Sequence, residues 1–372
     1  MLIGVSRETT PGERRVALTP AHIAVLRASG VEVLVESGAG VTAGFSDGEY
    51  ERNGARLAQT RDAVLAADVL LSVHASVAAL GNVNAGQTII GLADPLNARA
   101  AIRELASRGA SLFALELLPR ITRAQSMDVL SSMATIAGYK AVLLAATRLP
   151  KLFPMLVTAA GTTSPAKVLI IGAGVAGLQA IATSRRLGAV VTAYDVRPEV
   201  KEEVESVGAR FAELPLDTAG SRDERGYAKE LGDDVYERQR ELMSRLVKEA
   251  DVIVTTAAIP GRAAPRLITA SMVDAMAPGS VIVDLAAASG GNCEVTRADE
   301  VVTEHGVVVL GPTNLPATVP FHASQMYGKN ITAFVSNLIV DGNLDLDLED
   351  EIVRETLVVR AGEIVHPRIL EP

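Results

Sequence analysis

The chain has 372 residues, 48% of them hydrophobic but only 3% aromatic, with no Trp and a formal net charge of −9. That length allows two or three domains, and cores built from Ala, Val, Leu and Ile in a glycine-rich chain point to α/β architecture with buried parallel strands. The absence of a basic run argues against a nucleic-acid partner; the single cysteine, Cys293, excludes an intrachain disulfide and suits a reducing compartment.

The opening MLIGVSRETTPGERR lacks the charged-then-apolar layout of a signal segment. No uninterrupted apolar stretch reaches the roughly 20 residues that span a bilayer, so the chain is expected to be soluble, with no direct membrane insertion. Short apolar runs bounded by Gly, Asp and Pro then recur in chain order: LIGV (2–5), EVLVES (32–37), DVLLSV (68–73), TIIGLA (88–93) and SLFALEL (111–117). Each reads as a buried strand. A second series follows: KVLIIG (167–172), VVTAYD (190–195), DVIVTT (251–256), SVIVDLA (280–286) and VVVLG (307–311). The halves share phrases, ADVLLSV with ADVIVTT and GARLAQ with GARFAE. The expected fold is α/β: two doubly wound Rossmann-like domains of related plan, joined by long helices.

Between the halves, residues 123–148 read as an amphipathic helix. At ~100° per residue, Gln125, Asp128, Ser131, Ser132, Thr135 and Tyr139 share one face. A second helix over 321–340 returns the chain to the first domain, making it discontinuous: 1–130 with 321–372, around a nucleotide-binding domain over 131–320. The tail over 345–372 suggests a short hairpin.

GAGVAG (172–177) follows a strand and opens a helix, and Asp195 stands 18 residues after Gly177, at the end of the next strand. That context turns a weak glycine motif into a dinucleotide fingerprint. Gly172 permits the tight turn, Gly174 lets the backbone approach a pyrophosphate, Gly177 lets helix and strand pack, and Val175 opens the helix whose N-terminus favours negative charge. Asp195 is expected to accept from the adenosine ribose hydroxyls and to repel a 2′-phosphate, favouring NAD(H) over NADP(H). Arg197, two residues on, cuts slightly against this. TNLP (313–316) follows the last strand, where Asn314 is a candidate cofactor contact. The corresponding stretch of the first half, SRETTPGERRVALTP, has no such fingerprint.

RITRAQSMDVLSS (120–132), AGVAGLQAIATSRRLGAVV, GYAKE (226–230) and TTAAIPGRAAP (255–265) together resemble the NAD(H)-binding component of proton-translocating NAD(P) transhydrogenase, over nearly the whole chain. The resemblance implies that Arg120, Gln125, Asp128 and Ser131 surround the nicotinamide and its ribose, and that Tyr227 belongs to a mobile loop closing over the nucleotide. The long charged segment 214–248 suits such a lid, with Gly220 and Gly226 as hinges. It implies further that NADH passes hydride to NADP+ held on a partner domain, that membrane-spanning partner subunits couple this to proton translocation, and that the chain forms a homodimer. Its place would be cytoplasmic, peripheral at the inner face of the membrane.

Hydride transfer between nicotinamides requires alignment rather than a general base or metal. Amides, hydroxyls and a guanidinium suit that task. The rival, an alanine dehydrogenase-like enzyme, needs ionisable groups beside its substrate. The positions of that family's lysine and histidine hold Ser72 and Gly91, although Arg15 matches its carboxylate-gripping arginine and His74 lies near the lysine's place. A non-catalytic NAD(H)-binding regulator is the remaining alternative. His22, His74, His305, His322 and His366 show no metal-ligand spacing, and Cys293 reads as a packed thiol.

Overall fold

The computed structural model describes residues 1–213, 233–259 and 261–370. The chain forms two compact units, residues 1–133 with 316–372, and residues 134–315. Tyr227, Gly220 and Gly226 lie outside the described residues.

The first unit holds an eight-stranded sheet in the order Glu363–Ile364, Leu357–Arg360, Ser111–Ala114, Thr88–Leu92, Val69–His74, Leu2–Val5, Glu32–Glu36, Arg56–Ala58. From Ser111–Ala114 onward every pairing is parallel, and Leu357–Arg360 adds antiparallel at the far side as part of the tail hairpin. Central strands such as Leu2–Val5 and Val69–His74 are buried almost throughout, which is why they read as continuous apolar runs. The Pro320–Leu338 helix belongs to this unit. Phe334 packs edge-on against Phe113, Phe321 stacks on Phe45 with centroids 4.8 Å apart, and the Tyr327 hydroxyl donates to the Ser72 carbonyl at 2.8 Å.

The second unit holds seven strands in the order Arg210–Phe211, Val190–Tyr194, Lys167–Ile171, Val252–Thr255, Val281–Asp284, Val307–Leu310, Val301–Glu304. All but the last pair in parallel. With strands numbered along the chain within each of these two sheets, both begin 3-2-1-4-5, the doubly wound order in which the direction of progress across the sheet reverses beside the first strand. The fold is thus two Rossmann-like units of related plan. Three edge strands, Arg56–Ala58, Arg210–Phe211 and Val301–Glu304, have no long apolar run and were absent from the sequence-based set.

The helix expected over 123–148 is two elements. A 3-10 helix covers Thr122–Met127, and the α-helix runs Val129–Arg148. Asp128 separates them: its Oδ1 and Oδ2 accept from the Ser131 amide at 2.9 Å and the Ser131 hydroxyl at 2.5 Å. This N-cap satisfies a helix-end donor and starts a new helix. Gln125 therefore does not share an α-helical face with Asp128 and Ser131. The Val129–Arg148 helix is long and apolar enough to cross a membrane by length and composition, with mean hydropathy 1.5. Scanning for uninterrupted runs missed it because Ser, Thr, Tyr and Lys are scattered along it. Its Ala141, Val142 and Ala145 are buried in the core of the second unit.

Gly138 sits inside that helix, where glycine costs about 1 kcal/mol relative to alanine. A Cβ there would lie 2.1 Å from the Ala176 carbonyl oxygen, so the glycine admits the Val175–Arg186 helix at backbone contact. Gly138→Ala is expected to lower stability by about 2–3 kcal/mol in urea unfolding, because the clash outweighs the propensity gain. An unchanged or higher midpoint would mean that the two helices separate freely.

Candidate functional site

In the second unit the Lys167–Ile171 strand ends in a turn that only glycine satisfies. Gly172 has φ +97, and a Cβ on it would meet Thr256 Oγ1 at 2.4 Å. A Cβ on Gly177 would lie 1.9 Å from the Gly172 carbonyl oxygen, so the helix can approach the strand only at a glycine. Gly174 caps the 12-residue Val175–Arg186 helix and faces open space, with nothing within 4 Å of where its Cβ would stand. The first-turn N–H groups have no acceptor within the helix, and with the helix dipole they suit a phosphate group. The turn lies at the carboxyl end of the first strand, where the sheet order reverses. The arrangement fits a dinucleotide pyrophosphate.

Asp195 follows the Val190–Tyr194 strand and reaches back into the turn, its Oδ2 accepting the Ala173 amide at 2.7 Å. Arg197 closes on the same carboxylate: its amide and Nε donate to Oδ1 and its terminal nitrogen to Oδ2, each at 2.9 Å. Asn314 is half-buried directly beyond the Val307–Leu310 strand. Its loop is pinned by Thr313, whose amide and hydroxyl donate to Asp299 Oδ1 at 3.0 and 2.7 Å.

Three residues that sequence reasoning missed shape this edge. Thr256 Oγ1 donates to the Gly172 carbonyl at 3.1 Å. Asn292, fully buried, donates to the carbonyls of Ala257 and Pro265 at 2.8 and 2.9 Å and accepts from the Ala257 amide, bracing the segment after the central strand. Asp284, also fully buried, accepts from Thr255, Ala286, Cys293 and Thr296. An acid ending an apolar strand run was the available signal for Asp284. Cys293 is buried beside it, and burial raises its thiol pKa, as suits a packed, inert residue.

In the first unit, Arg120 and Gln125 are exposed and Asp128 and Ser131 half-buried, the last two bonded to each other. The run is anchored from behind. Asn330 Nδ2 donates to the Ser126 carbonyl at 2.8 Å, and Arg123 pairs with Asp350, its Nη1 donating at 2.9 Å. Arg123 thus holds the tail.

The carboxyl edge of the first sheet carries a set of part-buried and buried charges. Glu13 lies between Arg15 and His74. Arg15 Nε and a terminal nitrogen donate to its two oxygens at 2.8 and 2.6 Å, and His74 Nε2 is 2.9 Å from Oε2. Burial alone would raise the Glu13 carboxyl pKa, but the Arg15 and His74 hydrogen bonds hold it well below the usual range. Glu8 accepts the Val73 and His74 amides, and burial pushes it up to about 6. Ser72 is buried in its strand, and a Cβ on Gly91 would meet the Ser72 carbonyl oxygen at 2.5 Å, so this backbone admits no side chain at residue 91. One exposed surface group, Asp274, Glu304 and His305, brings ligand-type atoms within 4.8 Å of one another. His305 Nε2 stands 3.2 Å from Asp274 Oδ1, as in an exposed ion pair.

A glycine turn of this geometry, at the switch point of a parallel sheet with an acid on the neighbouring strand, defines a Rossmann unit of the dinucleotide-binding type. Residues 4–137 match the family model "Alanine dehydrogenase/PNT, N-terminal domain" and residues 141–367 match "Alanine dehydrogenase/PNT, C-terminal domain". The chain belongs to the alanine dehydrogenase/PNT family. It is 44% identical to NAD(P) transhydrogenase subunit alpha of Haemophilus influenzae, over 99% of this chain and 72% of that one. It is 31% identical to alanine dehydrogenase of Mycobacterium tuberculosis, over 86% of this chain and 82% of that one. The solved transhydrogenase from Sinorhizobium meliloti superposes with a TM-score of 0.89 at 42% identity, covering 98% of this chain and 100% of that one.

Glu116 also stands at the first sheet's edge. Its Oε1 accepts the Ala93 and Asp94 amides at 2.7 and 2.6 Å, while Oε2 is buried with no hydrogen-bond partner. Burial pushes its pKa up to about 7, only partly offset by those amides. The folded state therefore holds this proton more tightly than the unfolded chain. Its contribution to stability falls as pH rises from about 4.5 to about 7 and is level above that. Glu116→Gln, which keeps an acceptor for both amides, is expected to exceed the wild type in stability by ~3 kcal/mol at pH 8, with the gap closing near pH 4.5. Parallel urea-unfolding curves across that range would contradict the assignment.

Proposed function

We propose that the chain is the NAD(H)-binding component of a proton-translocating NAD(P) transhydrogenase, in which hydride passes directly between NADH held here and NADP+ held on a partner domain. Membrane-spanning partner subunits supply the proton path, so the chain sits peripherally at the cytoplasmic face, as a homodimer, and is active only in that company. The unit comprising residues 134–315 serves as the NAD(H)-binding domain.

The bound nicotinamide supplies the hydride-transfer chemistry. The chain's own residues bind and orient. Gly172, Gly174, Val175 and Gly177 offer backbone N–H groups and room to the pyrophosphate, Asp195 serves the adenosine ribose, and Asn314 serves the nicotinamide side. Arg120, Gln125, Asp128 and Ser131 hold ribose and carboxamide oxygens, and Tyr227 covers the nucleotide. The Asp128–Ser131 cap supports this reading: a hydroxyl and a carboxylate fixed to a helix end keep their geometry without rearrangement.

One observation favours this over amino-acid oxidation. Arg15, which would grip a substrate carboxylate, is already forked onto the Glu13 carboxylate, and both are buried. An amino acid would have to displace an internal ion pair, and removing one partner of such a pair is strongly unfavourable. The positions of the rival's proton-transfer groups hold a strand-buried serine and a glycine.

The test mixes the chain with a transhydrogenase NADP(H)-binding domain and follows reduction of an NAD analogue by NADPH. Turnover is expected with both proteins and with neither alone; a chain that binds NADH yet supports no transfer is a regulator. Gln125→Ala is expected to slow transfer about tenfold or more while changing NADH affinity far less, because it removes alignment. Robust oxidation of alanine with NAD+ would instead establish the dehydrogenase.

A further inference from the structure

Asp195 and Arg197 form a closed pair at the adenosine end of the site. Their side chains are only 7% and 16% exposed. Oδ1 accepts the Arg197 amide and Nε, and Oδ2 accepts the Ala173 amide and an Arg197 terminal nitrogen. Four donors fill the four lone-pair directions of a carboxylate. The fork is bidentate, the geometry in which guanidinium pairs are strongest.

An arginine close behind the ribose acid is the side chain that, in dinucleotide-binding folds, accommodates a 2′-phosphate. Sequence alone leaves its effect here open, because the residue type says nothing of its partner. Its surroundings decide. Asp195, Glu199 and Glu203 all act on Arg197 electrostatically. Three carboxylates act on one guanidinium, so its charge is already countered from within the chain and little of it is left for a phosphate dianion.

We propose that Arg197 is a specificity-determining residue: bound by Asp195, its guanidinium is withheld from a 2′-phosphate, so Asp195 excludes NADP(H) by its own charge and by holding Arg197. The inference rests on the reading that this unit binds NAD(H). It makes the ribose hydroxyls of NADH compete with Arg197 for Asp195. It also makes Arg197 a latent NADP(H) contact that one substitution uncovers. In a reaction between two nicotinamide nucleotides, such exclusion keeps NADP(H) from occupying the NAD(H) site.

The test titrates the full chain with NADH and with NADPH, reading nicotinamide fluorescence, for the wild type, Asp195→Asn and Asp195→Asn with Arg197→Gln. Asn keeps a carbonyl acceptor for the Ala173 amide, and circular dichroism with urea unfolding identifies any variant that fails to fold. Asp195→Ala with the same Arg197 partner then repeats the comparison. Asp195→Asn is expected to weaken NADH and tighten NADPH by about tenfold or more, the scale of a freed charge-assisted contact. The NADPH gain is expected to vanish in the double variant. A gain that survives loss of Arg197, or no gain in a folded Asp195 variant while the wild type binds NADH, overturns this inference alone. A wild type that binds neither nucleotide overturns the dinucleotide reading as well.

Discussion

The backbone contact between the Gly172 carbonyl and Gly177 governs the geometry of the second unit's functional edge. The oxygen lies where a Cβ on residue 177 would have to be, so strand and helix meet with no side chain between them. That approach fixes where the helix N-terminus points, and with it an anion-favouring feature of the turn. Thr256 donates to the same carbonyl and links the turn to the neighbouring strand. Asp195 holds the next amide, that of Ala173. Residues from three strand ends are thereby locked to one peptide unit, and Gly138 repeats the device against Ala176 of the same helix.

The first unit solves a different problem with the same sheet plan. Its carboxyl edge carries no GxGxxG fingerprint but a group of carboxylates set against a guanidinium and an imidazole. Glu13 is stabilised as a carboxylate because Arg15 and His74 reach its oxygens; burial raises the pKa values of Glu116 and Glu8, and the backbone amides they accept offset it only in part. Self-pairing of Arg15 and Glu13 turns a potential substrate grip into internal structure. Related folds can therefore diverge in chemistry without moving a strand: whether a charge is met from within the chain or by a ligand decides what the edge can do.

Much of the architecture was legible in the sequence because fully buried parallel strands must be apolar on both faces. LIGV, KVLII and SVIVD need no partner information to be read. Arg56–Ala58 and Val301–Glu304 were not legible, since edge strands are short and half-solvated. The fingerprint and Asp195 were visible because their spacing carries its own mechanism. The break at Asp128 was written as Asp-x-x-Ser, a capping pattern, but inside a longer periodic run it looked like a polar helix face. Gly138, Asn292 and the Glu13–Arg15 fork depend on what lies across space from them, and no local pattern announces that.

The Asp128 break matters beyond secondary structure. A continuous helix would put Gln125 and Asp128 on one face, at spacing set by helical rise. The observed cap instead ties Asp128 and Ser131 rigidly to the start of a 20-residue helix and leaves Gln125 on a separate 3-10 turn held by Asn330 through the adjacent Ser126 carbonyl. Two independent anchors then position two sets of hydrogen-bonding groups. Groups that must only align a ligand gain from this, since rotamers already bound in place lose little freedom on binding. The price is paid in sequence freedom: Asp128 serves the helix end and the proposed site at once, so its replacement perturbs both, whereas Gln125 can be changed without touching a cap.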